Sequence, residues 1–435
     1  MKRRALLAGS AGVVGLVPAA GLVPAAGLAP AAVGAAPAAG AVPPSPAAAK
    51  RLAWVHTWTA MPQLTEPGNL PPAPFTGSDA VLVDTTIRQT VRASIGGKSI
   101  RIRFSNAFGT TDLPLTSAAV ALPAGGGSGV SGIVPGSSRV LTFGGQPSVV
   151  VPAGAQVVSD PVALTVAARS ALSVSVYLAA GQAGVNLTSH PGSRTTSWLV
   201  NGDSLTAPDV AGTPVDHWYL LSGVEVAAAD AAGVVIIGDS LTDGRGSTTN
   251  GNDRWPDQLA ARLRDPRLAV LNQAAGGNRV LHDGLGPNVL ARLDRDVLGV
   301  SGAAWVLVFE GVNDIGTAEA TEAGQRQVIT ALTGAYRQIV QRAHAQDLRV
   351  YGATITPFGG NAGYDDPGGL RERARVAVNG VIRGGVFDAY VDFAAAVADP
   401  ASPARLNPAY DVGDHLHMNP AGYAALAGAV PRSLF

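Results

Sequence analysis

The run Val234-Val235-Ile236-Ile237, followed at once by Gly238-Asp239-Ser240-Leu241-Thr242-Asp243-Gly244, constrains this chain more than any other stretch. Four consecutive β-branched apolar residues predict a strand buried on both faces, as in the middle of a parallel sheet. Gly238 ends the strand, and after a polar loop a helical pattern covers 255–263. A serine just past such a strand lies where open α/β sheets place their ligands, in the crevice beyond the strand ends. Ser240 is therefore a candidate nucleophile. Gly-Asp-Ser is also a common turn tripeptide, so the reading depends on what the other loops supply.

From 230 to 435 strands alternate with helices. The predicted strands are 234–237, 269–272, 305–309, 350–355 and 389–393, and the predicted helices are 255–263, 287–297, 319–345, 371–382 and 420–430. This pattern specifies a three-layer α/β/α domain with a parallel sheet, whose loops after successive strands meet on one edge. From 50 to 229 the pattern is β throughout. Residues 86–92 and 99–105 alternate with period two around Gly96-Gly97, which reads as a hairpin. Short strands follow near 118–122, 149–151, 162–166 and 172–178, separated by Gly, Pro, Ser and Asp. Such spacing predicts an all-β sandwich of jelly-roll type. Trp54, Trp58, Trp198 and Trp218 offer either a sugar-stacking platform or core and domain contacts.

Residues 1–49 read as an export signal followed by a low-complexity Ala/Pro segment. Lys2-Arg3-Arg4 is basic, residues 5–17 are mostly apolar, and the arginine pair resembles a twin-arginine signal. Gly15-Leu16-Val17-Pro18-Ala19-Ala20 recurs at 21–26, and its prolines forbid the roughly 20 helical residues of a membrane span. The expectation is a secreted protein with no stable membrane anchor. Charged residues are 14% of the 435, with 31 basic and 31 acidic, so no net field gathers nucleic acid. Cysteine is absent, which removes disulfides, thiolate metal sites and cysteine nucleophiles together.

Three further loops carry the residue types that an activated serine needs. Asn272-Gln273-Ala274-Ala275-Gly276-Gly277-Asn278 follows the second strand, and its glycines allow a tight turn with exposed N–H groups suited to an oxyanion. Glu310-Gly311-Val312-Asn313-Asp314 follows the third, where Asn313 either aims an amide N–H into the cleft or caps a helix. Near the C-terminus, Asp414-His415-Leu416-His417 offers a histidine base with a carboxylate three residues before it.

These blocks, in order, resemble the signature of the SGNH hydrolases, the GDSL-type lipase and esterase superfamily. The resemblance covers 233 to the C-terminus and rests on residues 238–244, 276–278, 311–314 and 414–417. The preceding β-domain resembles that of secreted two-domain members related to carbohydrate acetylesterases. The resemblance implies that Ser240 is the nucleophile and that His417 is the base, oriented by Asp414. It implies an oxyanion hole formed by the Ser240 N–H, the Gly277 N–H and the Asn313 amide, with no cofactor and no metal. His415 competes with His417, and the three-residue interval from Asp414 favours His417.

Asp239, Asp243 and Asp314 read as scaffolding that holds loops through backbone hydrogen bonds. Arg279 and Trp255 read as packing or salt-bridge residues that also lie in reach of substrate. His56, His190, His217, His282 and His344 lack triad-like spacing and stay unassigned, with His190 or His282 a candidate to line the cleft. The expected partner is a small-molecule or polysaccharide ester. The expected chemistry is hydrolysis of short-chain carboxylic esters, among them acetyl esters on carbohydrate. Lipase or phospholipase chemistry and acyl transfer at the same site are the alternatives. Two other classes stand beside it: a metal-dependent hydrolase using Asp411, Asp414, His415 and His417, and a glycan-binding protein with an inactive hydrolase domain.

Overall fold

The computed structural model describes residues 53–435, so the export segment expected at 1–49 lies outside the described residues. Strand β1 (Ala232–Gly238) is buried along nearly its whole length. It pairs in parallel with β2 (Leu268–Ala274) on one side and β3 (Ala303–Phe309) on the other. Strands β4 (Arg349–Ala353) and β5 (Ala389–Val391) extend the sheet beyond β3, giving the order β2-β1-β3-β4-β5. The order reverses at β1, so the loops after β1 and β3 part above the sheet and leave a crevice.

Among the described residues eight α-helices accompany these strands: α1 (Ser240–Asp243), α2 (Trp255–Leu263), α3 (Val289–Leu293), α4 (Val312–Thr317), α5 (Glu322–His344), α6 (Leu370–Val381), α7 (Phe393–Val397) and α8 (Pro420–Ala429). Helices α2, α7 and α8 pack as one group, and α3, α5 and α6 as another. The two groups sandwich the sheet, which is why β1 can be apolar at every position. Local signals set the helix starts: Thr321 caps α5 at the Gly324 N–H, and Asn419 caps α8 at the Gly422 N–H ahead of Pro420.

Some element ends differ from the sequence expectation. The helix expected at 287–297 is α-helical only to Leu293 and continues as a wider π turn, Asp294–Leu298. The strand expected at 389–393 stops at Val391, because the Asp392 carboxylate accepts the Ala395 N–H and starts α7.

The region before β1 consists of antiparallel strands, as expected. One sheet joins Trp54–Thr59, Leu221–Ala227, Gly97–Ser105 and Gln156–Val158, with Val162–Val166 also on Gly97–Ser105. A second runs in the order Thr213–Val215, Ser197–Asn201, Thr85–Arg92, Ala171–Leu178, Ser117–Ala121, Arg139–Val140. The hairpin expected from residues 86–105 is not formed, because Thr85–Arg92 and Gly97–Ser105 lie in different sheets. The intervening turn is drawn inward: Ala93 and Ile95 are buried and the Ser94 hydroxyl donates to the Thr57 carbonyl. Thr85–Arg92 is moreover covered on both faces, its Arg88 guanidinium bonding to the carbonyls of Ser131 and Ser204. Trp58 and Trp218 are buried and meet edge-to-face at 4.8 Å, so these two serve packing rather than a sugar platform.

The β-region and the α/β region belong to one compact unit. Strand Trp54–Thr59 lies along β2, where the Thr59 hydroxyl donates to the Asn272 carbonyl (3.0 Å) and the Val270 N–H donates to Ser94 Oγ (3.2 Å). Beside them Glu225 is fully buried and receives the guanidiniums of Arg101 and Arg103 and the Ser301 hydroxyl. Burial lowers His56 to about 4, and the neutral ring accepts the Ser301 N–H at Nδ1 (3.0 Å). Gly302, at φ +78°, brings its backbone against Val55; a Cβ there would stand 2.7 Å from a Val55 methyl. Gly302→Ala combines a left-handed strain with overpacking and should lower unfolding stability by about 2 kcal/mol or more. Urea denaturation measures this, and an unchanged midpoint would contradict the close approach of the two regions.

Candidate active site

The turn after β1 is built for a helix to start immediately. Gly238 lies so close to Thr242 that a Cβ would stand 2.4 Å from its hydroxyl, so no larger residue fits there. Asp239 Oδ1 caps α1 by accepting the Leu241 N–H (2.9 Å), and Gly244 at φ +100° ends the helix. Ser240 thus occupies the first helical position at the carboxyl edge of the sheet, with only 8% of its surface exposed.

The loop before α8 brings its histidine to that point. Asp414 Oδ1 accepts the N–H groups of Leu416 (3.0 Å) and His417 (2.8 Å), which folds the four residues into a tight turn. The same turn lets Asp414 Oδ2 meet His417 Nδ1 at 2.6 Å, and His417 Nε2 lies 2.8 Å from Ser240 Oγ. A carboxylate accepts the Nδ1 proton, so the neutral ring presents its Nε2 lone pair to the serine hydroxyl. His415 points elsewhere: its Nδ1 meets Asp411 Oδ2 at 2.6 Å and its side chain is 47% exposed. The four residues weighed as a metal site therefore form two separate His–Asp pairs. Among the described residues no three His, Asp or Glu side chains are grouped to hold a metal ion.

Two further loops reach the same edge. The Gly276 N–H donates to Asp243 Oδ2 (3.0 Å), whereas the N–H groups of Gly277 and Ser240 have no acceptor among the described residues. Gly277 takes φ +71°, a turn conformation suited to glycine. Asn313 lies in the first turn of α4 with its amide held at both ends: Nδ2 donates to the Asn278 carbonyl (2.8 Å) and Oδ1 accepts from the Tyr364 hydroxyl (2.6 Å). One amide hydrogen remains for the cleft.

Residues 236–425 match the family model for the GDSL-like lipase/acylhydrolase family. The chain carries a GDSL-like acylhydrolase domain. The match spans somewhat less than half of the chain. Among solved structures it is similar to a GDSL-like lipase from Bacteroides thetaiotaomicron (17% identity, TM-score 0.35, covering 48% of this chain and 92% of that one). It is also similar to an acetyl xylan esterase from Geobacillus stearothermophilus (22% identity, TM-score 0.35, covering 46% and 94%). No curated protein sequence matches.

Several residues that brace this cluster have no spacing signature in the sequence. Arg292 is buried and its guanidinium donates to Asn278 Oδ1 (2.9 Å) and the Gln273 carbonyl (2.7 Å), fixing the glycine loop from behind. Tyr364, 51 positions from Asn313, sets the amide's orientation. The scaffolding aspartates act as expected: Asp314 accepts the N–H groups of Val280 and Leu281, both at 2.9 Å. Trp255 is fully buried, with Nε1 donating to Thr242 Oγ1 (3.0 Å), so it supports the turn that carries Ser240 and does not face the cleft. Arg279 holds its own loop through the Asp283 carbonyl.

Electrostatics favour a neutral His417 ring. Burial pulls the His417 pKa below 6.5, its hydrogen bond and charge interaction with Asp414 push the other way, and Arg245 and Arg194 add to the depression. Burial also raises Asp414, but the hydrogen bonds from His417 and Leu416 outweigh it, leaving a carboxylate more acidic than usual. Beneath the site, burial raises Asp239, Glu310 and Asp314. The His417 ring works as a base only when neutral, so kcat/KM should fall with acid about tenfold per pH unit. The midpoint should lie below 6.5, and a pH–rate profile with its acid limb above that value would contradict the assignment. Asn313→Ala should cost on the order of a hundredfold in kcat with circular dichroism unchanged; a loss under threefold would remove Asn313 from the oxyanion site.

Proposed function

We propose that the protein is a secreted serine esterase that hydrolyses short-chain carboxylic esters, among them acetyl esters on carbohydrate. The observation that carries this reading is the continuous line from Asp414 through His417 to Ser240, with contacts of 2.6 and 2.8 Å. Ser240 Oγ attacks the ester carbonyl as its proton passes to His417 Nε2. The tetrahedral oxyanion is received by the N–H groups of Ser240 and Gly277 and the free Asn313 amide hydrogen. Asp414 keeps the proton on Nδ1 and stabilises the imidazolium. Collapse expels the alcohol, which takes the proton from His417, and water attacks the acyl-serine by the same path to release the acid.

The acetyl preference is supported by Leu285, which packs against Gly277; a Cβ on that glycine would lie 2.7 Å from Leu285 Cδ1. Leu285 is half-exposed, so it offers an apolar contact at the rim of the proposed donor loop. Export is supported by the basic and apolar start of the chain, and no helix among the described residues is long and apolar enough to cross a membrane. The test is a panel of p-nitrophenyl esters from C2 to C16 plus acetylated xylan, run on wild type and Ser240→Ala together. The expected result is highest kcat/KM at C2 to C4, acetate release from the polysaccharide, and no turnover by Ser240→Ala. Undiminished hydrolysis by the purified Ser240→Ala chain would end the proposal, and a maximum at long chains would replace its substrate.

A further inference from the structure

We infer that His190, a residue of the β-region, positions the oxyanion donor of the esterase site through Asp243 and the Gly276 peptide. The inference rests on the serine esterase reading and adds a residue that none of the four sequence blocks contains.

The contacts form an unbroken line. His190 closes the short strand Thr188–His190 and is 4% exposed. Its Nε2 lies 2.8 Å from Asp243 Oδ1, and its Nδ1 lies 3.0 Å from the Met61 carbonyl oxygen. The other oxygen of Asp243 accepts the Gly276 N–H at 3.0 Å. The next N–H along that loop belongs to Gly277, the donor proposed for the oxyanion. Asp243 is itself the last residue of α1, three positions from Ser240. The carboxylate therefore ties the nucleophile's helix, the glycine loop and the β-region together.

Hydrogen-bond inventory decides where the protons sit. The Met61 carbonyl only accepts, so Nδ1 must carry a hydrogen. Asp243 Oδ2 faces an N–H and must accept. A proton must then lie between Nε2 and Oδ1 as well, since two lone pairs would otherwise meet at 2.8 Å. The Asp243 carboxyl is thus held from two sides, by the His190 ring at Oδ1 and by the Gly276 N–H at Oδ2.

The surroundings hold this pair in register. The His190 ring stacks on Trp218 (5.7 Å between centres, 27° between planes), and the Arg254 guanidinium lies over the same indole at 5.5 Å. The backbone of Gly192 passes so close that a Cβ would stand 1.8 Å from Asp243 Oδ2. A residue with any side chain at 192 would push the carboxylate off the Gly276 N–H. Through His190 the β-region thus acts on the position of one donor.

The test compares wild type, His190→Ala, His190→Gln and Ser240→Ala in the full chain with p-nitrophenyl acetate. Competent sites are counted by titration with a p-nitrophenyl phosphonate, so turnover is read per reactive serine. His190→Ala should lose about tenfold to a hundredfold in kcat per titrated site, with KM within about threefold of wild type because ground-state binding does not use the donor. His190→Gln keeps an N–H for Asp243 and should recover at least half of that loss on a logarithmic scale. If His190→Ala does not fold, Asp243→Asn is read in its place with the same expected loss. Wild-type kcat per titrated site, with only the number of sites reduced, would make His190 a folding residue and overturn the inference. Full activity of Ser240→Ala would instead overturn the esterase reading beneath it.

Discussion

Parallel strands all end at one edge, and this single constraint makes the site possible. Chain segments near 240, 277, 313 and 417 have no reason to meet except that each follows, or packs beside, a strand of the same sheet. The reversal of strand order at β1 puts Ser240 between the loops after β2 and β3, so the proposed nucleophile is flanked by both sets of proposed donors. What then fixes the chemistry is a set of backbone N–H groups held by carboxylates. Asp239 holds Leu241, Asp243 holds Gly276, Asp314 holds Val280 and Leu281, and Asp414 holds Leu416 and His417. A carboxylate accepts several N–H groups at short range, and here each one sets the shape of a loop that carries a functional group.

The site was legible in the sequence where its geometry is local. Asp414 and His417 lie in one turn, so their three-residue interval marked the pair, and the structure brings Asp414 Oδ2 to His417 Nδ1. Ser240 is marked by the apolar strand before it and the glycines around it. Gly277 was the donor that the resemblance implied, and in the structure its neighbour Gly276 gives its N–H to Asp243. Support from distant residues was not legible. Tyr364 on Asn313, Arg292 on Asn278 and His190 on Asp243 are contacts across long separations. Their residue types and intervals follow no pattern that marks them before folding.

The fold divides in the same way. β1 was readable because a strand covered on both faces has no polar positions to mislead the reading. Residues 86–105 misled it because two-residue alternation reports which side is buried, not which strand lies alongside. The buried Ala93 and Ile95 turn the chain from one sheet into the other. Short elements such as α4 and α7 fell below the length at which helical period shows; glycine and aspartate at their starts were the only local signals.

At the centre of the account is the claim that Ser240 is activated by His417 and becomes covalently acylated. The most direct measurement is peptide mapping by mass spectrometry after reaction with a fluorophosphonate. One phosphonyl group per chain, on the peptide containing Ser240 and blocked by prior substrate-analogue inhibition, is the predicted result. Labelling elsewhere, or full esterase activity in a chain carrying the phosphonyl group on Ser240, would contradict it.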